Sequence, residues 1–435
     1  MASTLAGCGV GNSGVRQLAA SSGEAETLAI VRRALWLGNL VLGLAGMAIL
    51  WLLREPVALW VFGDASHVSV VGWLGVGVLL TLIAGSQTAL LQGLRRIGDL
   101  ARVNVIGAFF SAIVGISLVY LLGQAGVIWF VLAAPAISVL VASYYAARLP
   151  RPQSPRDWQA IRQQWQAMLK LGIPFMAAGL LTLATQLAAR SIILRELGLD
   201  ASGYFQAAWA ISMTYIGFVL GAMAADYYPR LTEAINDHPR VRKLVNEQTE
   251  MALLLVGPAL LAMITFAPWV IHLLYAASFA PATDVLRWQM LGDILKVTSW
   301  PMGFILLAMG RGGVFIATEF IWNAAYLGAI VLGIQQWGLV VAGVGFWLAY
   351  LIYFLVMAAV AAWLVGLKSD RRNWLHMMLL LMAGGLVVYL AKQSAGMSYG
   401  VGLLATLVAG LYSLRRLDKL MDVRGWLRRR LLGDG

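Results

Sequence analysis

Residues 284–297 read DVLRWQMLGDILKV, a segment apolar enough to enter lipid that still carries Arg287, Asp293 and Lys296. A charge at the bilayer centre costs roughly 3 kcal/mol on insertion scales, so such side chains normally face a protein interior or a water-filled cavity. The spacing of Gln289, Asp293 and Lys296 puts these three residues on one face of a helix. The segment therefore predicts a membrane helix with a polar wall.

The next apolar segment continues this pattern, because Glu319 and Asn323 share one face of the helix that it predicts. Pro301 should kink the first helix just past its charges. Two interpretations stay open. In the first, Lys296 forms a buried ion pair with Asp293 or Glu319 that only fixes packing. In the second, the polar side chains line a transport cavity. The second interpretation is favoured by the rest of the chain.

A third polar face is predicted in the segment 171–194, where Gln186 and Arg190 are one helical turn apart. The alternative for Arg190 is that its side chain extends to the membrane interface. The candidate substrate cavity then consists of seven residues: Arg190, Gln186, Gln289, Asp293, Lys296, Glu319 and Asn323.

Composition identifies a membrane protein and argues against several other classes. The 435 residues are 60% hydrophobic and 12% charged, whereas soluble domains carry about 25% charged residues. A single cysteine, Cys8, excludes an intramolecular disulfide, and the four histidines are too scattered for a metal site. No P-loop, nucleophile elbow or pair of catalytic carboxylates is found. We therefore expect no enzyme, no catalytic residues, no metal and no cofactor; a lipid-modifying enzyme is conceivable, but no motif marks one.

Twelve apolar segments are long enough to cross a bilayer. Their predicted ranges are 34–53, 68–94, 103–123, 126–147, 171–194, 202–225, 251–276, 285–310, 313–333, 338–366, 374–391 and 398–414. With this arrangement, 26 of the 32 Lys and Arg residues fall in loops on one side, including Arg415–Arg430. The positive-inside rule makes that side cytoplasmic, together with the C-terminus. This distribution accounts for the net charge of +12 without nucleic acid.

An internal duplication is indicated by residues that recur at offsets between 212 and 216, such as Pro56 with Pro268 and Arg95 with Arg311. Six spans separate the equivalents, so the repeats are parallel, and two six-helix lobes should enclose a central cavity. The predicted fold is an all-α polytopic membrane protein. Its parts are an N-terminal lobe (1–148), a cytoplasmic linker (149–170), a C-terminal lobe (171–366), and two additional helices with a basic tail (367–435).

The N-terminal segment Ala2–Val15 is too short to span, since 14 helical residues cover ~21 Å against a core of ~30 Å. Its Gly9, Gly11 and Gly14 spell G-x-G-x-x-G, but no βαβ unit surrounds them, so they indicate close helix packing and not a dinucleotide site. By the repeat offset, the first lobe should open with two spans. The first helix is therefore expected to be missing, through a late start codon or a truncated gene product.

The run Trp288-Gln-Met-Leu-Gly-Asp293-Ile-Leu-Lys296-Val, followed by Glu319, resembles the O-antigen translocases and the flippase of the enterobacterial common antigen. Leu90-Leu-Gln-Gly-Leu-Arg-Arg-Ile-Gly-Asp99 is similar to the same family. The resemblance extends over about residues 1 to 366. These proteins form the polysaccharide transporter branch of the superfamily of multidrug, oligosaccharidyl-lipid and polysaccharide exporters.

The resemblance implies a flippase in the bacterial inner membrane. Its substrate would be an oligosaccharide linked to undecaprenyl pyrophosphate, such as an O-antigen repeat unit, moved by alternating access of the two lobes. Membrane lipids surround it, and polysaccharide polymerase and chain-length proteins are implied partners. A multidrug or cation exporter of the same superfamily is the main alternative, although it needs acidic residues without compensating cations, which Arg190, Arg287 and Lys296 oppose. A nontransporting scaffold would need no polar wall.

Overall fold

The computed structural model describes residues 6–421 apart from residues 22, 63–67, 124–125 and 150–156, and its regular elements there are all helices. Long apolar runs form helices because a helix satisfies every backbone polar group within one segment, as a bilayer requires. In chain order the helices are α1 Val10–Ala20, α2 Ala25–Leu52, α3 Arg54–Phe62, α4 Val68–Gly93, α5 Ile97–Leu122, α6 Gly126–Ala147, α7 Trp158–Glu233, α8 His238–Leu274, α9 Ala282–Ala308, α10 Gly312–Trp337, α11 Val341–Val365, α12 Arg371–Ala391 and α13 Ala395–Met421.

Ten helical stretches in the described residues are long and apolar enough to cross a membrane. Two of them, Trp158–Glu233 and Gly312–Val365, are long enough to contain two spans each. Helix α7 is broken at Gly198, whose φ of 88° and ψ of 179° favour glycine. A short 3₁₀ turn, Gly338–Val340, separates α10 from α11 within the other stretch. Ten stretches plus these two divisions give twelve spans. The protein is therefore a polytopic all-α membrane protein, as the sequence predicts.

The chain folds into two compact units. The first contains Met1–Leu180, Ala225–Glu233 and Leu307–Ile316, and the second contains Leu181–Ala224, Ala234–Leu306 and Ala317–Gly435. The predicted lobe boundaries near residues 148, 170 and 366 stay a prediction. The predicted basic tail Arg415–Arg430 falls mostly beyond Met421, outside the described residues.

Small residues bring backbones close together in the first unit. An added Cβ on Gly9 would collide with the backbone of Gly172, and one on Gly14 would lie 2.6 Å from Cδ1 of Leu35. Gly11 faces open space. The predicted role of these glycines in close packing is thus confirmed for Gly9 and Gly14 but wrong for Gly11.

Arginines close the C-terminal ends of three helices. Arg16 Nε donates to the carbonyl oxygen of Ala308 at 2.8 Å, at the end of α9. Arg32 Nη2 donates to Ala146 near the end of α6, at 3.2 Å, and Arg242 Nη1 donates to the last residue of α11 at 3.1 Å. The last carbonyls of a helix lack intrahelical partners and carry its negative dipole end, so cations stabilise them.

Asp226 joins two further arginines within the first unit. Arg95 donates through Nε and Nη2 to Oδ1 of Asp226, at 3.3 and 3.0 Å. Arg230 Nη1 donates to Oδ2 at 3.0 Å. Arg95 has a φ of 56°, in the left-handed region that non-glycine residues rarely adopt. The backbone of Arg95 is therefore strained at a position where its side chain makes a two-pronged ion pair.

Helix α9 is the core helix of the second unit. In its most apolar 18-residue window 83% of residues are buried inside the protein, against 50% or less in the other candidate spans. Pro301 lies inside α9, which continues to Ala308, so it does not end the helix. Arg287, Gln289, Asp293 and Lys296, which precede Pro301 in α9, are consequently largely surrounded by protein.

Candidate substrate site

A buried acid–base pair lies on α9. The Asp293 side chain has no exposed surface, and the Lys296 side chain is 19% exposed. Lys296 Nζ lies 3.8 Å from Oδ1 of Asp293, and the hydroxyl of Ser212 in α7 donates to Oδ2 at 2.7 Å. A carboxylate removed from water needs such partners, because an unpaired buried charge costs several kcal/mol.

Two tyrosines of α11 connect Lys296 to a second acid on α10. Lys296 Nζ lies 5.6 Å from the ring centroid of Tyr350, within the range of a cation–π contact. The ring of Tyr350 lies 6.0 Å from that of Tyr353, whose hydroxyl donates to Oε1 of Glu319 at 2.9 Å. We call Ser212, Asp293, Lys296, Tyr350, Tyr353 and Glu319 the charged cluster.

Polar atoms without hydrogen-bond partners lie on the same helices. Gln289, one turn from Asp293, is fully buried, and neither atom of its amide has a partner among the described residues. Oδ1 of Asp293 and Oδ1 of Asn323 also lack a hydrogen bond in that part of the chain. Asn323 Nδ2 donates to the backbone oxygen of Glu319 at 2.8 Å. Since an unsatisfied buried polar group costs about 1–3 kcal/mol, such a concentration suits a site that receives polar groups from a ligand.

An aromatic wall adjoins the charged cluster through Tyr350. Trp322 lies 5.1 Å from Tyr350 and stacks on Tyr326 at 5.4 Å between ring centroids. Trp209 also stacks on Tyr326, at 5.9 Å between ring centroids, and Phe346 meets Tyr350 edge to face at 4.8 Å. The inner rings pack on one another, and Tyr350 connects them to the charged cluster.

Arg287 stabilises the contact between α8 and α9. Its side chain is 10% exposed, forms an ion pair with Asp284 at 3.7 Å, and donates from Nε to the carbonyl oxygen of Ile264 at 3.2 Å. That carbonyl is available because the residue four positions later, Pro268, has no N–H to bond to it. Arg287 therefore compensates for a proline in α8.

The structure brings together part of the predicted set. Asp293, Lys296 and Glu319 interact directly or through the tyrosines, and Gln289 and Asn323 lie one turn away on the same helices. Arg190 is exposed and Gln186 half-buried. Neither forms a hydrogen bond or ion pair with the charged cluster in the part of the chain that the structure describes.

Sequence reasoning missed the residues that hold the charged cluster from neighbouring helices. Ser212 lies in an apolar helix and has no distinguishing pattern. Phe346, Tyr350 and Tyr353 do have one, since their spacing of four and three residues forms an aromatic stripe on one face of α11. That stripe could have been matched to the polar faces of α9 and α10.

Comparison with known proteins identifies the family and the fold. A family described as polysaccharide biosynthesis protein matches residues 10–284, more than half of the chain. The Lipid III flippase of Escherichia coli (strain K12) is 23% identical over 328 residues, which cover 72% of this chain and 76% of the flippase. The Lipid III flippase of Shigella flexneri matches equally well.

Solved structures share the fold. A mutant MATE protein superposes with a TM-score of 0.74 at 19% identity, covering 84% of this chain and 85% of its own. An outward-facing multidrug resistance MATE transporter of the MOP superfamily superposes with a TM-score of 0.71 at 17% identity, covering 83% of this chain and 86% of its own. A MOP superfamily transporter from Pyrococcus furiosus superposes with a TM-score of 0.70 at 18% identity, again covering 83% of this chain and 86% of its own. The resemblance in the sequence is thereby confirmed: the chain belongs to the polysaccharide biosynthesis protein family and has the fold of the MOP superfamily.

Proposed function

We propose that this protein is a flippase for an oligosaccharide linked to undecaprenyl pyrophosphate, such as an O-antigen repeat unit. It moves the head group from the cytoplasmic to the periplasmic leaflet of the bacterial inner membrane by alternating access, with its C-terminus in the cytoplasm. The family membership and the Lipid III flippase relatives support this proposal. A flippase is required because a sugar pyrophosphate is too polar to cross hydrocarbon unaided.

The observation that carries the proposal is the charged cluster beside buried amide and carboxylate oxygens that have no hydrogen bond among the described residues. Lys296, with part of its side chain exposed, is the proposed ligand of the pyrophosphate, which an ammonium binds by charge-assisted hydrogen bonds. Asp293 and Glu319 would contact sugar hydroxyls or carry a coupling proton, and Gln289 and Asn323 would bond to the sugar. Tyr350 offers an aromatic face to a sugar ring.

Gln186 and Arg190 are the remaining two residues of the proposed cavity. Their side chains share one face of α7 before the break at Gly198, and Arg190 is exposed. As a guanidinium matches phosphate geometry, Arg190 is a second proposed pyrophosphate ligand.

Replacing Lys296 tests the proposed function. Lys296→Ala should abolish surface polysaccharide in a strain that depends on this protein, at unchanged membrane abundance, because the pyrophosphate loses its cation. Lys243→Ala is the matched control, since the Lys243 side chain is 76% exposed and pairs only loosely with Glu247, at 3.9 Å. Surface polysaccharide and membrane abundance are measured in parallel by gel and immunoblot.

A double substitution separates transport from packing. Lys296→Met with Asp293→Leu removes both charges of the pair, so neither residue is left as an unpaired ion, and Glu319 keeps its hydrogen bond from Tyr353. If the pair only fixes packing, this double variant restores both abundance and polysaccharide. Normal polysaccharide in the double variant therefore contradicts the proposed role of Lys296 in transport.

The alternative, a multidrug or cation exporter, has support in fold alone, from the MATE structures. An ammonium 3.8 Å from the buried carboxylate of Asp293 disfavours a cationic substrate at this position. Proteoliposomes decide between the two: we expect translocation of a lipid-linked oligosaccharide and no pumping of a cationic dye.

A further inference from the structure

A separate pocket of about 480 Å³ lies in the second unit, away from the charged cluster. Its walls come from α12, α13 and a single leucine of α8. The lining residues are Leu261, Arg372, Leu375, His376, Leu379, Leu380, Ala383, Ala405, Val408, Ala409 and Tyr412. On both helices they recur at intervals of three and four residues, so the pocket follows one face of each helix. Its volume is within the roughly 300–1,000 Å³ typical of ligand sites.

The length of the pocket matches one leaflet of a bilayer. Arg372 and Ala383 are eleven residues apart on α12, which corresponds to about 16 Å along a helix. Half of a hydrocarbon core is about 15 Å. Three alanines, Ala383, Ala405 and Ala409, leave room at the inner end. A single fatty acyl chain fits a narrow apolar space of this length.

The outer end of the pocket is basic. Arg372 Nη1 and Arg416 Nε both donate to Oε1 of Glu250, at 3.3 and 2.7 Å. Leaving out the exposed Arg371, which does not line the pocket, the segments 368–372 and 415–419 together with Glu250 contain five basic and three acidic residues, an excess of two positive charges. The side chain of Arg372 is 50% exposed, so it can still bind an anion. The Lys and Arg distribution predicts that this end faces the cytoplasm.

A polar atom without a partner lies between the basic end and the apolar depth. His376 is 9% exposed and lines the pocket one turn below Arg372. Its ring meets Tyr412 edge to face at 5.2 Å, and its Nε2 has no hydrogen bond among the described residues. A buried ring nitrogen normally has a partner. In a glycerolipid, the ester groups lie about this far below the phosphate.

We propose that this pocket binds an anionic phospholipid of the cytoplasmic leaflet. The phosphate bonds to Arg372, an ester oxygen accepts a hydrogen bond from His376, and one acyl chain fills the space down to Ala383. A cation for the phosphate, a hydrogen-bond donor for the ester and an apolar space for the acyl chain therefore follow one another along one face of α12. This site is independent of the proposed transport of a lipid-linked oligosaccharide.

Native mass spectrometry of the purified full chain tests the proposal with two lipids of identical acyl chains, phosphatidylglycerol and phosphatidylcholine. We expect the wild-type protein to retain phosphatidylglycerol preferentially. Arg372→Gln should reduce this preference about tenfold, which corresponds to one lost charge-assisted hydrogen bond. The matched control is Arg371→Gln, which removes the same charge from an exposed residue outside the pocket and should leave the preference unchanged.

Filling the pocket tests the acyl chain independently. Ala383→Leu with Ala409→Leu should displace both lipids, whereas Ala362→Leu, at an exposed position of α11, should displace neither. Three outcomes would overturn the proposal: equal binding of the two lipids by wild type, an equal loss in Arg371→Gln, or retention of lipid after the pocket is filled. Displacement of phosphatidylglycerol from the wild-type protein by a polyprenyl pyrophosphate, together with loss of polyprenyl pyrophosphate binding in the filled-pocket variant, would overturn it too, by assigning the site to the transported lipid.

Discussion

Asp293 is held by one hydroxyl from another helix. Ser212 Oγ lies 2.7 Å from its Oδ2, closer than the ammonium of Lys296 lies to Oδ1. Ser212→Ala would leave that oxygen with no donor in a site closed to water. A hydrogen bond to a charged group is worth about 1.5–3 kcal/mol, so both stability and transport should fall.

Thermal unfolding in detergent and surface polysaccharide measure the two effects. Ser202→Ala is the control, because Ser202 is 2% exposed and lies on the same helix, ten residues away. An equal loss in both variants would mean that any buried serine of α7 matters as much, and that Ser212 has no special link to Asp293.

Residue-scale prediction from sequence works where the signal is local. Asp293 and Lys296 are conspicuous as charges in an apolar run, and their helical spacing shows that they share a face. Ser212 is 81 residues away from Asp293 in the chain. A hydroxyl among apolar residues carries no local mark, so only tertiary packing reveals it. The role of the whole candidate set in transport stays a prediction.

At the scale of helices, α8 and α9 depend on each other through a proline. Pro268 frees the carbonyl of Ile264, and Arg287 donates to it at 3.2 Å. Arg287→Met should cost about 1–3 kcal/mol, because a buried acceptor loses its partner. In a Pro268→Ala background the cost should shrink, since the introduced alanine restores a backbone N–H that reaches this carbonyl.

A double-mutant cycle of unfolding free energies in detergent measures this coupling. Pro258→Ala is the matched control, as it changes the other proline in the interior of α8, and it should show no coupling to Arg287→Met. Full additivity of Arg287→Met and Pro268→Ala would contradict the compensation that we describe.

The helices themselves are predictable from hydropathy because a lipid environment allows few alternatives to a long apolar helix. All twelve predicted spans overlap helices in the structure. The helix ends are less predictable. The helix that corresponds to the span predicted at 34–53 begins at Ala25. Its first turns contain charged residues such as Arg32, which lie outside the apolar core that hydropathy detects. Hydropathy records only the apolar core of such a helix.

For the whole molecule, alternating access predicts that contacts between the predicted lobes break during transport. Arg95 belongs to the predicted first lobe, and Asp226 belongs to the second; their side chains meet at 3.0 Å. Joining Arg95→Cys to Asp226→Cys with a cleavable bifunctional thiol reagent, in a Cys8→Ser background, should stop translocation. Cleavage of the linker should restore it. Translocation is followed in proteoliposomes.

The control crosslink joins Asp99→Cys to Arg102→Cys, an ion pair at 2.9 Å within α5 alone. It should leave translocation intact, because no relative motion of lobes changes that distance. Both residues lie in the first compact unit, so undiminished translocation through the Arg95–Asp226 crosslink would refute rocking along the predicted lobe boundary while leaving the family assignment untouched.

The contact between Arg16 and Ala308 also has a consequence for biosynthesis. The two residues are 292 positions apart, and ribosomes add about 5–20 residues per second. Arg16 must therefore wait roughly 15–60 s before its partner carbonyl has been synthesised. During that interval α1 is held only by the helices made soon after it, and the guanidinium remains available to lipid phosphates or chaperones. The C-terminal end of α9, which carries Asp293 and Lys296, thus receives its hydrogen bond from a residue synthesised 292 positions earlier, so α1 is made early but reaches its final contacts late.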